Sequence, residues 1–169
     1  MSQSSFSSLD SALLVRDAQG RYLPATTDQI LEAARHAVDQ KMVRGTVFTS
    51  PAVVKEYLTA KLAGFDVEVF AVLFLDSQHR LIEYAEMFQG TLSQTSVYPR
   101  EVTKAALQHH AAAVIVAHNH PSGNPEPSAA DKALTTHLAK ALALLDVRTL
   151  DHVVVAGQET ASFAELGLL

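Results

Sequence analysis

The sequence contains no cysteine. This absence excludes disulfide frameworks, cysteine-ligated zinc and thiol nucleophiles, so any metal site has to be built from histidine, aspartate and glutamate. Basic residues are also few, because 13 Lys and Arg stand against 18 Asp and Glu, a formal net charge of −5. This negative net charge argues against a surface that binds duplex DNA mainly by neutralising its phosphates.

Long hydrophobic runs are missing as well. No stretch approaches the roughly 20 apolar residues that a membrane-spanning helix needs, and the start MSQSSFSSLD lacks the basic residues and apolar core of a signal peptide. We therefore expect a cytoplasmic protein with no membrane segment. Hydrophobic residues nevertheless make up 48 % of the 169 residues, which is enough for one domain with a real core.

The apolar pattern predicts alternating helices and strands. Four helices are expected: one from residue 26 or 27, one after the Ser50-Pro51 pair as far as Gly64, one from Pro99, and a long one over residues 128–145. Strands are expected over residues 67–76, 80–88, 111–117 and 150–156. This order predicts an α/β fold of the α+β kind, in which helices pack on a central mixed β-sheet. Residues 1–45 are expected to form an N-terminal extension with one helix, and residues 46–169 the main domain.

The segment between Ala117 and Asp131 carries the predicted chemistry. The apolar strand runs into His118-Asn119-His120, and residues two apart in a strand point the same way, so the two imidazoles face one point. A loop rich in Pro and Gly then leads to Ser128, which suits a helix N-cap, and Asp131 follows in the first turn. Asp131 can therefore reach the two histidines.

Two imidazoles and one carboxylate leave a fourth tetrahedral position for water, which is typical of catalytic zinc. We predict that His118, His120 and Asp131 bind Zn²⁺. Zinc lowers the pKa of a bound water to about 7, and a nearby carboxylate takes its proton. Glu68, at the start of a buried strand, is the predicted base; Glu86 and Glu101 compete for this role.

Two further side chains have both a functional and a structural interpretation. Ser128 is predicted to offer its hydroxyl to the oxyanion that forms when water attacks a carbonyl. A Ser-x-x-Asp pair is also close to an ordinary helix-capping arrangement, which competes for the same oxygen. His152, in the last buried strand, is interpreted as a core histidine that lies near the sheet end carrying the site.

The segment HNHPSGNPEPSAAD has the form HxH, seven residues, Ser, two residues, Asp. It resembles the JAMM motif of the MPN metallopeptidases. Together with GTLSQTSVYPREV upstream and LLDVRTLDHVVVAG downstream, it is similar to the RadC family, including its shorter single-domain members. The resemblance covers residues 49–169. It implies a JAMM/MPN-like sandwich with helices packed on a mixed sheet, so that residues 46–169 would be an MPN (RadC-like JAB) domain.

The resemblance also implies roles for individual residues. Zinc would be bound by the residues that match His118, His120 and Asp131. The family's catalytic glutamate precedes the first core strand and matches Glu68, and its motif serine matches Ser128.

The chain departs from its longer relatives in two respects. Longer members resembling RadC carry an N-terminal helix-hairpin-helix region associated with DNA, and residues 1–43 are too short and not basic enough to match it. Association with DNA is therefore not supported by the charge. The MPN proteins that cleave ubiquitin isopeptide bonds hold their substrate with inserted segments, for which this chain has little room, so deubiquitination is not expected.

The leading hypothesis is a zinc-dependent hydrolase of an amide or peptide bond, with an unknown peptide or amide substrate. One alternative is a noncatalytic, metal-stabilised interaction module in DNA repair, recombination or mobile-element biology. Another is a metal-dependent nuclease or phosphoesterase, which the acidic balance disfavours. A zinc nucleotide deaminase is disfavoured by the missing PCxxC motif. The oligomeric state stays open.

Overall fold

The structure is a computed structural model that describes residues 13–90 and 96–169. The serine-rich start, part of the predicted extension and residues 91–95 of the upstream motif lie outside the described residues. The described elements, in chain order, are β1 (Leu14–Arg16), β2 (Tyr22–Pro24), α1 (Thr27–Lys41), α2 (Pro51–Leu62), β3 (Val69–Leu75), β4 (Leu81–Gln89), α3 (Pro99–Gln108), β5 (Ala113–Asn119), α4 (Ala129–Ala143), β6 (Arg148–Ala156) and β7 (Glu159–Ser162).

A five-stranded mixed sheet with the order β4-β3-β5-β6-β7 forms the centre of the fold. The β5–β6 pair is parallel and is joined through α4, whereas the β3–β4, β3–β5 and β6–β7 pairs are antiparallel. Strands β1 and β2 form a separate antiparallel hairpin. The predicted α/β architecture with a mixed sheet and packed helices is confirmed.

Side chains alternate between the two faces of the sheet, and helices cover both faces. The face that we call the α2 face packs against Leu58 and Leu62 of α2. The opposite face, called the α4 face, packs against Val102 of α3 and Leu138 of α4. Every residue of β3 and β5 is buried, as the prediction of interior strands required.

The N-terminal half of α4 brings polar groups onto the sheet. Its buried residues are Asp131, Thr135, Leu138 and Leu142, which recur every three or four positions and so form one stripe. The two polar members come first, and Ser128 caps the helix immediately before them. This arrangement places a carboxylate and a hydroxyl above the end of β5.

Helix α1 attaches to the sheet domain through α2. Lys61 of α2 pairs with Asp39 of α1 at 2.8 Å. The Arg35 guanidinium donates hydrogen bonds to the carbonyls of Lys61 and Ala63 and lies 4.3 Å above the ring of Phe65. The capping box at Thr26 and Gln29 begins the helix, whose start at Thr27 agrees with the predicted start at residue 26 or 27.

The element boundaries differ from the predictions in several places. Strand β5 continues through His118 and Asn119, because both polar side chains find buried partners. Strand β6 begins at Arg148 rather than residue 150, and α4 ends at Ala143 rather than 145. Strand β7 was not predicted, because its sequence ETAS has no apolar alternation. No helix within residues 13–90 and 96–169 is long and apolar enough to cross a membrane.

Candidate metal centre

Three side chains converge on the α4 face where β5 ends. The Nε2 atoms of His118 and His120 lie 2.9 Å apart. Oδ1 of Asp131 is 3.3 Å from His118 Nε2, and Oδ2 is 3.5 Å from His120 Nε2. The structure thus brings together the three residues that the sequence predicted as ligands.

The ligand atoms of these residues lie close enough together for one small divalent ion to reach all three. Ligand atoms at about 2.0–2.1 Å from a tetrahedral zinc ion lie about 3.4 Å from one another. The two distances to Asp131 run to different carboxylate oxygens, the imidazole nitrogens lie closer together than that value, and one ligand atom from each residue lies within 4.8 Å of the other two. Imidazole and carboxylate are also ligand types that zinc accepts. His118, His120 and Asp131 therefore could hold a metal ion such as Zn²⁺.

The loop after β5 orients the ring of His120. Nδ1 of His120 lies 2.8 Å from the carbonyl oxygen of Asn124. A carbonyl oxygen only accepts hydrogen bonds, so Nδ1 carries the hydrogen and the lone pair of a neutral ring is on Nε2. In a neutral ring that lone pair is on the nitrogen that faces Asp131, whereas a protonated ring donates a hydrogen from the same nitrogen to Asp131.

A capping box holds the carboxylate of Asp131. The main-chain N and the Oγ of Ser128 donate to Oδ2 at 2.7 and 2.6 Å, and the Asp131 N–H donates back to Ser128 Oγ at 3.1 Å. The structural interpretation of the Ser-x-x-Asp pair is therefore present in the fold. The same contacts fix the carboxylate that faces the histidines.

The pKa shifts of His118 and Asp131 favour the protonation states that metal ligands need, whereas the shift of His120 favours its protonated form. Burial lowers the pKa of His118 to about 4, against the opposing charge of Asp131. Burial alone would raise the pKa of Asp131, but hydrogen bonds from His120 and Ser128 and the charge of His118 hold it well below its ordinary value. The hydrogen bond to Asp131 raises the pKa of His120. At neutral pH, His118 is therefore neutral and Asp131 ionised, as metal ligands must be.

Glu68 comes immediately before β3, on the same side as the histidines. The register pairs Phe70 with His118 at the end of the β3–β5 ladder. Continuing that alternation by two residues would set Glu68 opposite His120 on the same face. The charge of Glu68 contributes to the raised pKa of His120, which places the two groups within electrostatic reach. The Glu68 side chain is half-buried.

The two competing carboxylates lie elsewhere. Glu86 pairs with Ala71 and lines a cavity with Lys61 and Asp39 on the α2 side, where it accepts a hydrogen bond from the Tyr84 hydroxyl. Glu101 lies in the first turn of α3 and pairs with Arg100 at 3.3 Å. Of the three predicted bases, Glu68 is the one whose charge raises the pKa of His120.

Sequence reasoning missed the role of Asn119. Its side-chain oxygen accepts from the Val69 N–H at 2.7 Å, and its amide donates to the carbonyls of Val67 and Phe65. These bonds hold the segment that carries Glu68. The only signal in the sequence is a polar residue between two histidines at the end of an apolar run.

His152 is a buried histidine, as the sequence predicts, but it also contacts the site. Its Nε2 lies 2.8 Å from Nδ1 of His118, and its Nδ1 lies 2.6 Å from the Thr135 hydroxyl. Burial and the charge of His118 keep the pKa of His152 well below its ordinary value. Thr135 was not predicted to take part at all.

The profile of the RadC-like JAB domain matches residues 48–168. The chain belongs to the RadC-like JAB family. This match confirms the resemblance to the RadC family that the sequence motifs indicated. The mixed sheet between two helical layers is consistent with the JAB/MPN-like fold.

Relatives of this RadC-like JAB chain carry the name UPF0758 protein. The relative from Vibrio cholerae is 57 % identical over 141 residues, which are 83 % of this chain and 89 % of the relative. The relative from Leptothrix cholodnii is 59 % identical over 140 residues, 83 % of this chain and 63 % of the relative. The relative from Acidovorax sp. JS42 is 60 % identical over 140 residues, which are 83 % of this chain and 59 % of the relative. The matched part of the RadC-like chain thus spans less than two thirds of the latter two relatives.

Proposed function

We propose that the protein is a zinc-dependent hydrolase that cleaves an amide or peptide bond. The observation that carries the proposal is the convergence of His118, His120 and Asp131 on one point, with Glu68 just before β3 and near enough to His120 for its charge to raise the pKa of that ring. Family membership supports the proposal, since all of these residues lie within the span 48–168 that matches the RadC-like JAB domain. The substrate proposed is a peptide or a peptide-like amide.

The proposed roles follow from the chemistry of the side chains. Zinc bound at His118, His120 and Asp131 would supply a Lewis acid and lower the pKa of a coordinated water towards 7. The Glu68 carboxylate takes a proton from the attacking water and returns it to the leaving nitrogen, as a general base and then a general acid. Its half-buried position near His120 suits this exchange with water.

Ser128 is proposed to donate to the oxyanion during attack on the carbonyl. In the structure, its hydroxyl lies 2.6 Å from Oδ2 of Asp131 and donates to it. Donation to an oxyanion therefore requires the Ser128 hydroxyl to turn from Asp131 towards the substrate. The main-chain N–H of Ser128, which also donates to Asp131, keeps the carboxylate in place during that rotation.

The test uses zinc-loaded protein and a pool of peptides and peptidoglycan-like amides, with newly formed amines as the readout. We expect wild type to release amines and Glu68→Gln to lose at least about 100-fold of that activity while it keeps its zinc. Glu86→Gln is the matched control, because Glu86 lies on the α2 side. Release of amines by Glu68→Gln at the wild-type rate, or no release by fully loaded wild type, would contradict the proposal.

A further inference from the structure

A buried line of hydrogen bonds lies behind the candidate metal centre and joins two of its three residues. It runs from Nδ1 of His118 to Nε2 of His152 at 2.8 Å, from Nδ1 of His152 to Oγ1 of Thr135 at 2.6 Å, and from Oγ1 of Thr135 to the carbonyl oxygen of Asp131 at 2.6 Å. The side chains of His118, His152 and Thr135 are at most 1 % exposed. Water therefore has little access to this line, and its groups have to satisfy one another.

The direction of every hydrogen bond in the line follows from its last member. The carbonyl oxygen of Asp131 only accepts, so the Thr135 hydroxyl donates its single hydrogen there. Thr135 Oγ1 must then accept from Nδ1 of His152. A neutral imidazole with its hydrogen on Nδ1 has a lone pair on Nε2, so Nε2 of His152 accepts from Nδ1 of His118.

The opposite direction of these hydrogen bonds is excluded by the distance between Thr135 Oγ1 and the Asp131 carbonyl oxygen. If the Thr135 hydroxyl donated to His152 instead, no hydrogen would lie between Thr135 Oγ1 and the Asp131 carbonyl oxygen. Two oxygen atoms 2.6 Å apart repel each other without a shared hydrogen, since that separation belongs to a short O–H···O bond. A hydroxyl that donates to the carbonyl four residues earlier is also the usual behaviour of threonine within a helix.

We propose that His152 and Thr135 are positioning residues that fix His118 in the tautomer with its hydrogen on Nδ1. The lone pair of His118 is then on Nε2, the atom that lies 3.3 Å from Asp131 Oδ1. The same atom lies 2.9 Å from His120 Nε2, and in the metal-free chain this contact requires a hydrogen on His120 Nε2, which a protonated His120 ring supplies while its Nδ1 donates to Asn124. The value of this tautomer for metal binding rests on the proposed function. The tautomer itself is a property of the metal-free chain.

Ring packing supports the positioning role. His152 stacks on Phe163 with centroids 4.6 Å apart and an interplanar angle of 19°. Phe70 meets His152 edge-on and lies nearly parallel to His118. Both nitrogens of His152 are already used in hydrogen bonds. His152 therefore acts through His118 and is not a fourth ligand.

The experiment measures the tautomer first and the metal affinity second. In metal-free wild type labelled with ¹⁵N-histidine, long-range ¹H–¹⁵N NMR is expected to show His118 protonated at Nδ1 and unprotonated at Nε2. Thr135→Val removes the hydroxyl with little change of shape, whereas Thr135→Ser keeps it. We expect Thr135→Val to populate the other His118 tautomer and to weaken Zn²⁺ binding about 10- to 100-fold, with Thr135→Ser close to wild type.

The outcomes separate this inference from the proposed function. A wild-type His118 protonated at Nε2 would overturn the inference, and so would a folded Thr135→Val variant that binds zinc as tightly as wild type. His152→Gln and His152→Phe provide a second pair of variants, because glutamine retains a hydrogen-bond acceptor for His118 and phenylalanine does not. Equal zinc affinity in these two variants would also overturn the inference. Wild type with the expected tautomer but no affinity for zinc would leave the inference intact and contradict the proposed function.

Discussion

The side chain of Asn119 accepts a hydrogen bond from the main-chain N–H of Val69 at 2.7 Å. Asn119 lies between the two candidate histidine ligands, and Val69 follows Glu68 directly in the chain. One buried amide therefore ties the strand end that carries the proposed ligands to the segment that carries the proposed base. The position of Glu68 relative to the two histidines depends on this contact.

Replacing Asn119 by Ala is expected to separate metal binding from hydrolysis. The buried N–H of Val69 and carbonyl of Val67 would lose their partners, at a cost of about 1–3 kcal/mol in the free energy of unfolding. We expect the zinc content to stay near that of wild type, while amine release falls because Glu68 is no longer held. Denaturant unfolding, elemental analysis and the peptide pool measure the three quantities. Full activity in Asn119→Ala would show that Glu68 does not need this contact.

Replacing Ser128 by Ala tests the two roles of that serine. Loss of the N-cap should lower the free energy of unfolding by about 1 kcal/mol, and loss of the proposed oxyanion donor should lower kcat by about 100-fold or more with little change in KM. Thr26→Ala removes the corresponding cap of α1 and serves as the control, since it should cost stability alone. If kcat falls no further in Ser128→Ala than in Thr26→Ala, the oxyanion role is wrong.

The metal-free protein is expected to lose stability as the pH falls from about 6.5 to about 4. The pKa of His118 is lowered to about 4 by burial, whereas an unfolded histidine titrates near 6.5. The unfolded chain therefore binds more protons than the folded chain between these pH values, and the free energy of unfolding decreases as the pH decreases. His152 shifts in the same direction. The pKa of the half-buried His120 is raised instead, so its titration opposes part of this loss.

Thermal unfolding of chelator-treated protein at a series of pH values measures this effect. His118→Gln removes one of the two buried titrating rings, so its Tm should depend less steeply on pH than that of wild type. A wild-type Tm that stays constant or rises between pH 6.5 and 4 would contradict the assignment of neutral, buried histidines.

Gly64 at the end of α2 is expected to accept a side chain only at a cost in stability. Its φ is +82°, and an added Cβ would collide with Cδ1 of Leu31 on α1. Gly64→Ala should therefore lower the free energy of unfolding by about 1–3 kcal/mol and disturb the contact between α1 and α2. Gly123→Ala is the matched control, because Gly123 has a φ of +78° but nothing within 4 Å of an added Cβ. Equal losses in the two variants would mean that the Leu31 contact contributes nothing.

Much of the candidate centre could be predicted because its information is local. The HxH spacing at a strand end and the Ser-x-x-Asp pair at a helix start each determine the direction of their side chains over a few residues. The structure places His118, His120 and Asp131 together. It also shows Ser128 in the capping box that the alternative interpretation required.

The remaining parts depend on pairing between distant segments. The contact of His152 with His118 arises from the parallel register of β5 and β6, which sets Val116 against His152 across a connection that contains α4. The position of Glu68 near His120 likewise depends on the β3–β5 register. No local pattern determines such registers, and the short polar strand β7 has no apolar alternation to reveal it.

Metal content tests most directly whether His118, His120 and Asp131 hold a zinc ion. The protein should be purified without chelator or metal-affinity resin and measured by elemental analysis, with His118→Ala and Asp131→Ala prepared in parallel. We predict about one zinc ion per wild-type chain and loss of that zinc in both folded variants. A folded wild type that takes up no zinc even when zinc is supplied, or variants that keep it, would contradict the account.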